Sequence, residues 1–315
     1  MLHHKRVRRF GFAVAAATVF AVVGTAFAAG TWKTLAPVPT PTEGMQVAVV
    51  GNQIVAAYGY SFGDMNLTRI YDIAADSWSA GAPAPLPVRS EGAAVDHGGF
   101  FYAVGGRPTI VDLDRYEPAT NTWVSLADMP TGRGGLGAAV VGNAIYAIGG
   151  RTGSSPCSGG ELTTVERYDI GTNTWSTVAP LPGARSDLAA VAHGGKIYVF
   201  GGCKSGVFLG DVDVYNPVTD TWSTAPADMP TARASMYGAA AKGNTVYVIG
   251  GWNASGQLVT NEAYKIASDT WSTELAMPSP RAEMGVVFHG GRIFTVGGGL
   301  TGNSSALNLS FKPNP

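Results

Sequence analysis

Arginines and carboxylates recur at fixed places along this chain. Arg89, Arg133, Arg185 and Arg281 each stand sixteen residues before the first glycine of a Gly-Gly pair, and Arg233 stands seventeen before. Glu43 holds the corresponding place before Tyr58-Gly59-Tyr60. Two positions past this slot come Met45, Glu91, Gly135, Asp187, Met236 and Glu283. A planar guanidinium takes a carboxylate through two parallel hydrogen bonds, so a ring of arginines suits an acidic peptide or a carboxylate-bearing sugar. Glu43, Glu91, Asp187 and Glu283 have the chemistry of general acids and bases, and they are equally suited to neutralise the arginines in a salt-bridge ring with no ligand. No nucleophile elbow, phosphate loop or metal-ligand cluster accompanies them, and no cofactor is predicted.

The elements that carry these residues are short strands. The chain has 315 residues, of which 43 are Gly and 19 Pro; 45% are hydrophobic and only 14% charged. A disordered chain would be charged and poor in apolar residues. A helical bundle would not tolerate so much glycine, which costs a helix interior about 1 kcal/mol each against alanine. Collagen's glycine at every third place is absent. The glycines are periodic on a longer scale instead. After the degenerate Gly59, pairs occur at Gly105-Gly106, Gly149-Gly150, Gly201-Gly202, Gly250-Gly251 and Gly297-Gly298. Trp32, Trp78, Trp123, Trp175, Trp222 and Trp271 keep the same spacing, as do Tyr71, Tyr116, Tyr168, Tyr215 and Tyr264. Within one unit the alternation and Gly/Asn turns read as four strands: 136–141, 144–150, 164–170 and 174–179. Four strands per repeat of this length make a propeller blade.

The repeated string resembles the Kelch repeat: Val104-Gly105-Gly106, Arg115-Tyr116, Asn121-Thr122-Trp123, Met129-Pro130 and Arg133, then Ile148-Gly149-Gly150, Glu166-Arg167-Tyr168-Asp169, Asn173-Thr174-Trp175 and Arg185. The resemblance runs over residues 29–315 and implies an all-β, six-bladed Kelch propeller. Trp32 precedes the first glycine slot and no tryptophan follows the last, so residues 31–37 are expected to supply the outer strand of the last blade. Alternating strand direction gathers the long loops on one face, where the arginine and carboxylate slots enter the axis. Loops on a rigid scaffold usually carry function. Tyr60, Phe62, Phe208 and Trp252 lie in these loops as candidates to stack on a sugar or anchor a peptide. In Kelch adaptors the matching arginines contact acidic peptides. The fold of galactose oxidase is similar, but His97, His193 and His289 fall in tight turns on the opposite face, so no copper site is expected. The resemblance also leaves open a metal-independent sugar epimerase or mutarotase similar to N-acetylneuraminate epimerase. A recognition module for a protein, peptide or carbohydrate is the preferred reading.

Residues 1–28 read as an export signal: Lys5, Arg6, Arg8 and Arg9, an apolar run, then Ala26-Phe27-Ala28 before cleavage. Without them 17 basic residues face 22 acidic ones, a formal charge of −5. That balance carries no nucleic-acid footprint, and no membrane span is expected after cleavage. A monomer in the periplasm or outside the cell is predicted. Export permits a disulfide, and Cys157 and Cys203 fall in neighbouring loops of one face, so they are expected to pair.

Overall fold

The structure, a computed structural model, describes residues 30–300 and 303–314. The predicted export signal lies outside the described residues. Twenty-four strands form six four-stranded antiparallel sheets. The first comprises Gln46–Val50, Gln53–Ala57, Thr68–Asp72 and Ser77–Ala80, and each later repeat builds the same unit. The six inner strands touch in sequence order, and the last, Gly285–His289, packs against the first, Gln46–Val50. The chain is a six-bladed β-propeller.

Closure follows the expectation from Trp32. The outer strand of the sixth blade is Thr31–Thr34, paired antiparallel with Asn308–Lys312 and placing Trp32 opposite Phe311. Joining the two ends in one sheet leaves the ring no open blade edge at the seam. Three two-stranded hairpins are added to the long loops: Cys203–Lys204 with Val207–Phe208, Trp252–Asn253 with Gly256–Gln257, and Gly299–Leu300 with Asn303–Ser304.

The cores lie between blades. Val47, Ile54 and Tyr71 of the first blade pack with Phe294 and Val296 of the sixth. At the axis the strands crowd so closely that a Cβ on Gly238 would meet the Val286 backbone at 2.8 Å, which only glycine avoids.

The periodic aromatics tie each blade to the one before. Tyr71, Tyr116, Tyr168, Tyr215 and Tyr264 donate their hydroxyls to Asp76, Asn121, Asn173, Asp220 and Asp269 at 2.6–2.7 Å. The same acceptor oxygen takes the backbone N–H of Ala36, Ala82, Ala127, Ala179 or Ala227 in the connection leaving the previous blade. The carbonyl of that same alanine accepts the indole N–H of Trp78, Trp123, Trp175, Trp222 or Trp271. The backbone of one alanine at each of these five interfaces is thus held through both its N–H and its C=O. At the seam Phe311 replaces the tyrosine, and Trp32 donates to Leu275 O at 3.0 Å.

Three of the five clamps use a carboxylate. The Tyr71 hydroxyl and Ala36 N–H hold Asp76 below the usual range, Tyr215 and Ala179 do the same for Asp220, and Ala227 N–H and then Tyr264 for Asp269. A carboxylate whose folded pKa is depressed contributes stability above the unfolded value that is lost as pH falls through the folded one. Asn121 and Asn173 show that asparagine fills the same seat. The triple variant Asp76→Asn, Asp220→Asn, Asp269→Asn is therefore expected to fold and to lose less Tm than the parent on acidification below about pH 4. Thermal melts of both proteins across that range check it; parallel acid limbs would contradict the clamp's charge dependence.

Candidate functional site

The five slot arginines do not reach the channel mouth. Arg89, Arg133, Arg233 and Arg281 have no exposed surface, and Arg185 keeps 3%. Each turns back into its own blade. Arg89 pairs with Asp114 at 2.8 Å and covers the Tyr58 ring at 4.1 Å. Arg133 donates to Glu166 at 2.7 Å and to Ala147 O at 3.0 Å. Arg185 grips Asp213, and Arg233 grips Glu262. Arg281 finds Thr295 Oγ1 at 2.6 Å and the carbonyls of Gly297 and Leu307. The first blade reverses the pair: Thr42 takes the arginine slot and accepts from Arg69 of the third strand at 3.1 Å. Burial without a carboxylate partner lowers Arg69 and Arg281 to about 10, still charged at neutral pH. Arg89, Arg133, Arg185, Arg233 and Arg281, expected at the mouth as ligand-binding residues, are closed off from solvent, with their terminal nitrogens hydrogen-bonded within the protein. Each latches the loop entering a blade to the strands of that same blade, and Arg89 also covers Tyr58 of the first blade.

The axis is built by the residues next in line. Gly44, Glu91, Gly135, Asp187, Ser235 and Glu283 all adopt a left-handed backbone, φ between 55° and 61°. Their N–H groups pass around the axis: Gly44 to Glu283 O, Glu91 to Gly44 O, Gly135 to Glu91 O, Asp187 to Gly135 O and Glu283 to Ser235 O, at 2.6–2.9 Å. The link between the fourth and fifth blades is irregular, with Met236 N reaching Asp187 O at 3.5 Å. This belt shifts the register in two blades. Met45 and Met236 stand one residue past it, in the core, and Glu43 stands one residue past the arginine slot, in bridge with Tyr60.

A second belt follows each glycine pair. Tyr60, Arg107, Arg151, Cys203, Trp252 and Gly299 bridge to Glu43, Ser90, Gly134, Ser186, Ala234 and Ala282. Arg151, which the sequence reading passed over, is fully buried above Gly135 and is gripped by both Glu91 and Asp187. Tyr237 donates to Asp187 Oδ1 at 2.8 Å, and Ser186 to Oδ2 at 2.6 Å. Arg107 spans Glu91 at 3.5 Å and Asp64 at 3.3 Å, over the Tyr60 ring at 5.3 Å. The signal for both arginines was present: each directly follows a Gly-Gly pair.

Glu43 and Glu283 are left over. Neither carboxylate makes a hydrogen bond or ion pair among the described residues, and both stay partly exposed. Burial raises Glu283 well above its usual range, with repulsion from Glu91, Glu43 and Asp187 adding to it and Arg151 opposing. Burial also raises Glu43, eased by Arg107. Beneath the mouth runs a channel of about 470 Å³, walled by Val47, Ala93, Ala138, Ala190 and Val286, with Tyr237 in its lining.

The rim has two characters. Cys157 and Cys203 form the expected disulfide, Cα–Cα 5.3 Å, and Trp252 packs edge-on to Phe208 at 4.9 Å in the same cluster. Trp252 is thus half-buried cover for the disulfide. Tyr60 and Phe62, over the first blade, are exposed. Among the described residues one grouping has metal-ligand spacing, Cys157, Asp187 and Cys203, and its two sulfurs are bonded to each other. His97, His193 and His289 lie in the tight turns away from the mouth, held to Asn143, Asn244 and Asn52. No described helix is long and apolar enough to cross a membrane.

Comparison with known proteins agrees with this architecture. The KLHDC2/KLHL20/DRC7 Kelch-repeats domain profile matches residues 126–298. Kelch-like protein 23 of Homo sapiens is 29% identical over 253 residues, 65% of this chain and 45% of that protein. Kelch-like protein terF of Aspergillus terreus is 26% identical over 235 residues, 67% of this chain and 51% of that one. The chain spans about half the length of these curated relatives. The solved structure titled "Structure of YjhT" superposes with a TM-score of 0.75 at 17% identity, covering 87% of this chain and 95% of that one; at that identity the likeness concerns the fold.

The folded protein holds the Glu283 proton more tightly than the unfolded chain does. Its contribution to stability is full below the ordinary value of 4.5 and is lost as pH rises through the raised one. Glu283→Gln is therefore expected to match the parent near pH 4 and to exceed its Tm at neutral pH, by about 2–4 °C for each kcal/mol relieved. Paired melts at the two pH values check this; a lower neutral-pH Tm in the variant would show that Glu283 is ionised and stabilised.

Proposed function

The chain belongs to the Kelch-repeat family, and from that premise we propose that it is an exported recognition module that binds a protein, peptide or carbohydrate on its long-loop face. The observation that carries this reading is the division of labour at the mouth. The repeated arginines are taken up as blade latches, while Tyr60, Phe62, Glu43 and Glu283 are among the side chains left open on that face. Exposed aromatics beside polar groups on a preorganised scaffold are what recognition requires. Export is supported by the N-terminal sequence and by the disulfide between adjacent loops, which fits an oxidising compartment.

A second reading, a metal-independent epimerase or mutarotase, draws on the contrast between Glu283, raised toward its protonated form, and the arginine-paired Asp187. Glu283 so placed has the character of a general acid. The mouth lacks an uncommitted arginine for a substrate carboxylate, since Arg107 and Arg151 are both held by two acids.

The test is a glycan and peptide array probed with residues 29–315, alongside NMR measurement of anomer exchange in sialic acid and common hexoses. Phe62→Ser with Tyr60→Ala is expected to abolish array binding at unchanged Tm, with no acceleration of exchange by the parent. Acceleration that disappears in Glu283→Gln would establish the enzyme instead.

A further inference from the structure

We propose that the mouth and the first-blade rim together dock a polypeptide segment that presents a basic side chain beside an apolar one, Glu43 and Glu283 taking the cation and the Phe62 rim taking the apolar group. The inference rests on the recognition reading above and names the chemistry of its ligand, which is the opposite of the acidic ligand that the arginine ring suggested.

Charge complementarity carries the first half. Four carboxylates, Glu43, Glu91, Asp187 and Glu283, converge on the mouth, and each bears electrostatically on Glu283 or is borne on by it. Two guanidinium groups answer them. Arg151 is spent on Glu91 and Asp187, and Arg107 on Glu91 and Asp64. The two carboxylates without a partner are also the two that remain partly open. A cluster that raises the proton affinity of its own members is stabilised by any other cation that enters it. An ammonium or guanidinium arriving there makes charge-assisted hydrogen bonds without displacing an existing pair.

The apolar half lies beside it. Of the large apolar side chains left exposed, Tyr60, Phe62, Leu67, Leu86 and Val88 all belong to the loops of the first blade that rise on the mouth face. The Tyr60 backbone is bonded in both directions to Glu43, so this rim grows directly out of the acidic centre. Phe62 is fully exposed at the tip of a turn closed by Ser61 N to Gly63 O, with φ 58°. A bulky residue in the left-handed region is strained. Here the strain holds an aromatic ring in water, where folding alone gains nothing from it. On the opposite rim Phe208 and Trp252 pack together over the disulfide, with Val207 and Val259 of the same two loops exposed, and the first-blade side carries more of the exposed apolar side chains.

The experiment selects random-sequence peptides on residues 29–315 and then measures the selected peptides by fluorescence polarisation. Sequences pairing Lys or Arg with an aromatic or aliphatic residue are expected. Their affinity should fall by about tenfold, the effect of one lost charge-assisted contact, when the basic residue is changed to Glu. It should fall similarly in the Glu43→Gln, Glu283→Gln protein, which keeps every paired charge at the mouth and is expected to stay folded. Phe62→Ser should weaken the same peptides in the otherwise unaltered protein. Enrichment of acidic peptides, enrichment of none, or binding indifferent to the double substitution overturns the inference. Saturable glycan binding in place of peptide binding overturns it too, while leaving the recognition reading standing. Self-association that Phe62→Ser abolishes would assign the rim to a second copy of the chain and overturn it as well.

Discussion

At five of the six interfaces a blade is set against its predecessor by the backbone of a single alanine, held through both its N–H and its C=O. The N–H of Ala36, Ala82, Ala127, Ala179 or Ala227 is taken by an Asp or Asn in a left-handed turn, and its carbonyl by a tryptophan. This clamp gives the Tyr, Asx and Trp of the repeat a common reason. The tyrosine orients the acceptor, the acceptor occupies the backbone region that Asn and Asp tolerate best, and the tryptophan reaches across while covering apolar surface. With the rim fixed by the clamp and the axis fixed by the belt of backbone hydrogen bonds, the pitch between blades is set at two radii. Closure of the ring then brings Thr31–Thr34 onto Asn308–Lys312. The mouth inherits its geometry from that closure.

The buried arginines act inside this frame. Removing a guanidinium from water is expensive, and the cost is offset only where carboxylates and carbonyls saturate its donors. Arg89, Arg133, Arg185 and Arg233 have carboxylate partners at their terminal nitrogens, with each Nε left without one. Blades one and six do not: Arg69 meets Thr42, and Arg281 meets Thr295 and two carbonyls. The sixth blade thus combines a latch without a carboxylate with the one interface, against the fifth blade, whose tyrosine is a phenylalanine. If the ring opens anywhere before it unfolds, the physics puts the opening there.

Three periodic markers made the fold legible, because each reports a contact repeated at every interface. The site was less legible for two separate reasons. One was register. Measured from Gly59, Glu43 falls in the arginine slot, yet the belt aligns Thr42 with the arginines and Gly44 with Glu91. A slip of one residue moved a free carboxylate into the wrong ring. The other was burial. Position along the repeat indicated that the arginines enter the axis from the loop face, but whether a long side chain points into the channel or folds back depends on the third strand. There Asp114, Glu166, Asp213 and Glu262 offer charge from within the sheet. That pairing is a contact between residues 25 to 33 apart in sequence, and spacing within one strand does not contain it.

The free acids arise from a second symmetry laid over the first. Blades two, four and six carry Glu91, Asp187 and Glu283 on the belt, and His97, His193 and His289 below. Blades one, three and five carry Gly44, Gly135 and Ser235, with Asn52, Asn143 and Asn244 receiving those histidines. Three acids around one axis repel, and a single arginine cannot answer three. Arg151 answers two, and the small Gly135 beneath it leaves the room its guanidinium needs. Glu283 is the remainder. Releasing Arg151 to serve an incoming carboxylate would leave the buried Asp187 without its ion pair and Glu91 with Arg107 alone, a loss of about 3–5 kcal/mol for a broken buried pair. Receiving a cation at Glu283 and Glu43 breaks no existing pair and relieves a repulsion already present. The direction of least cost at this mouth is therefore toward a positively charged guest.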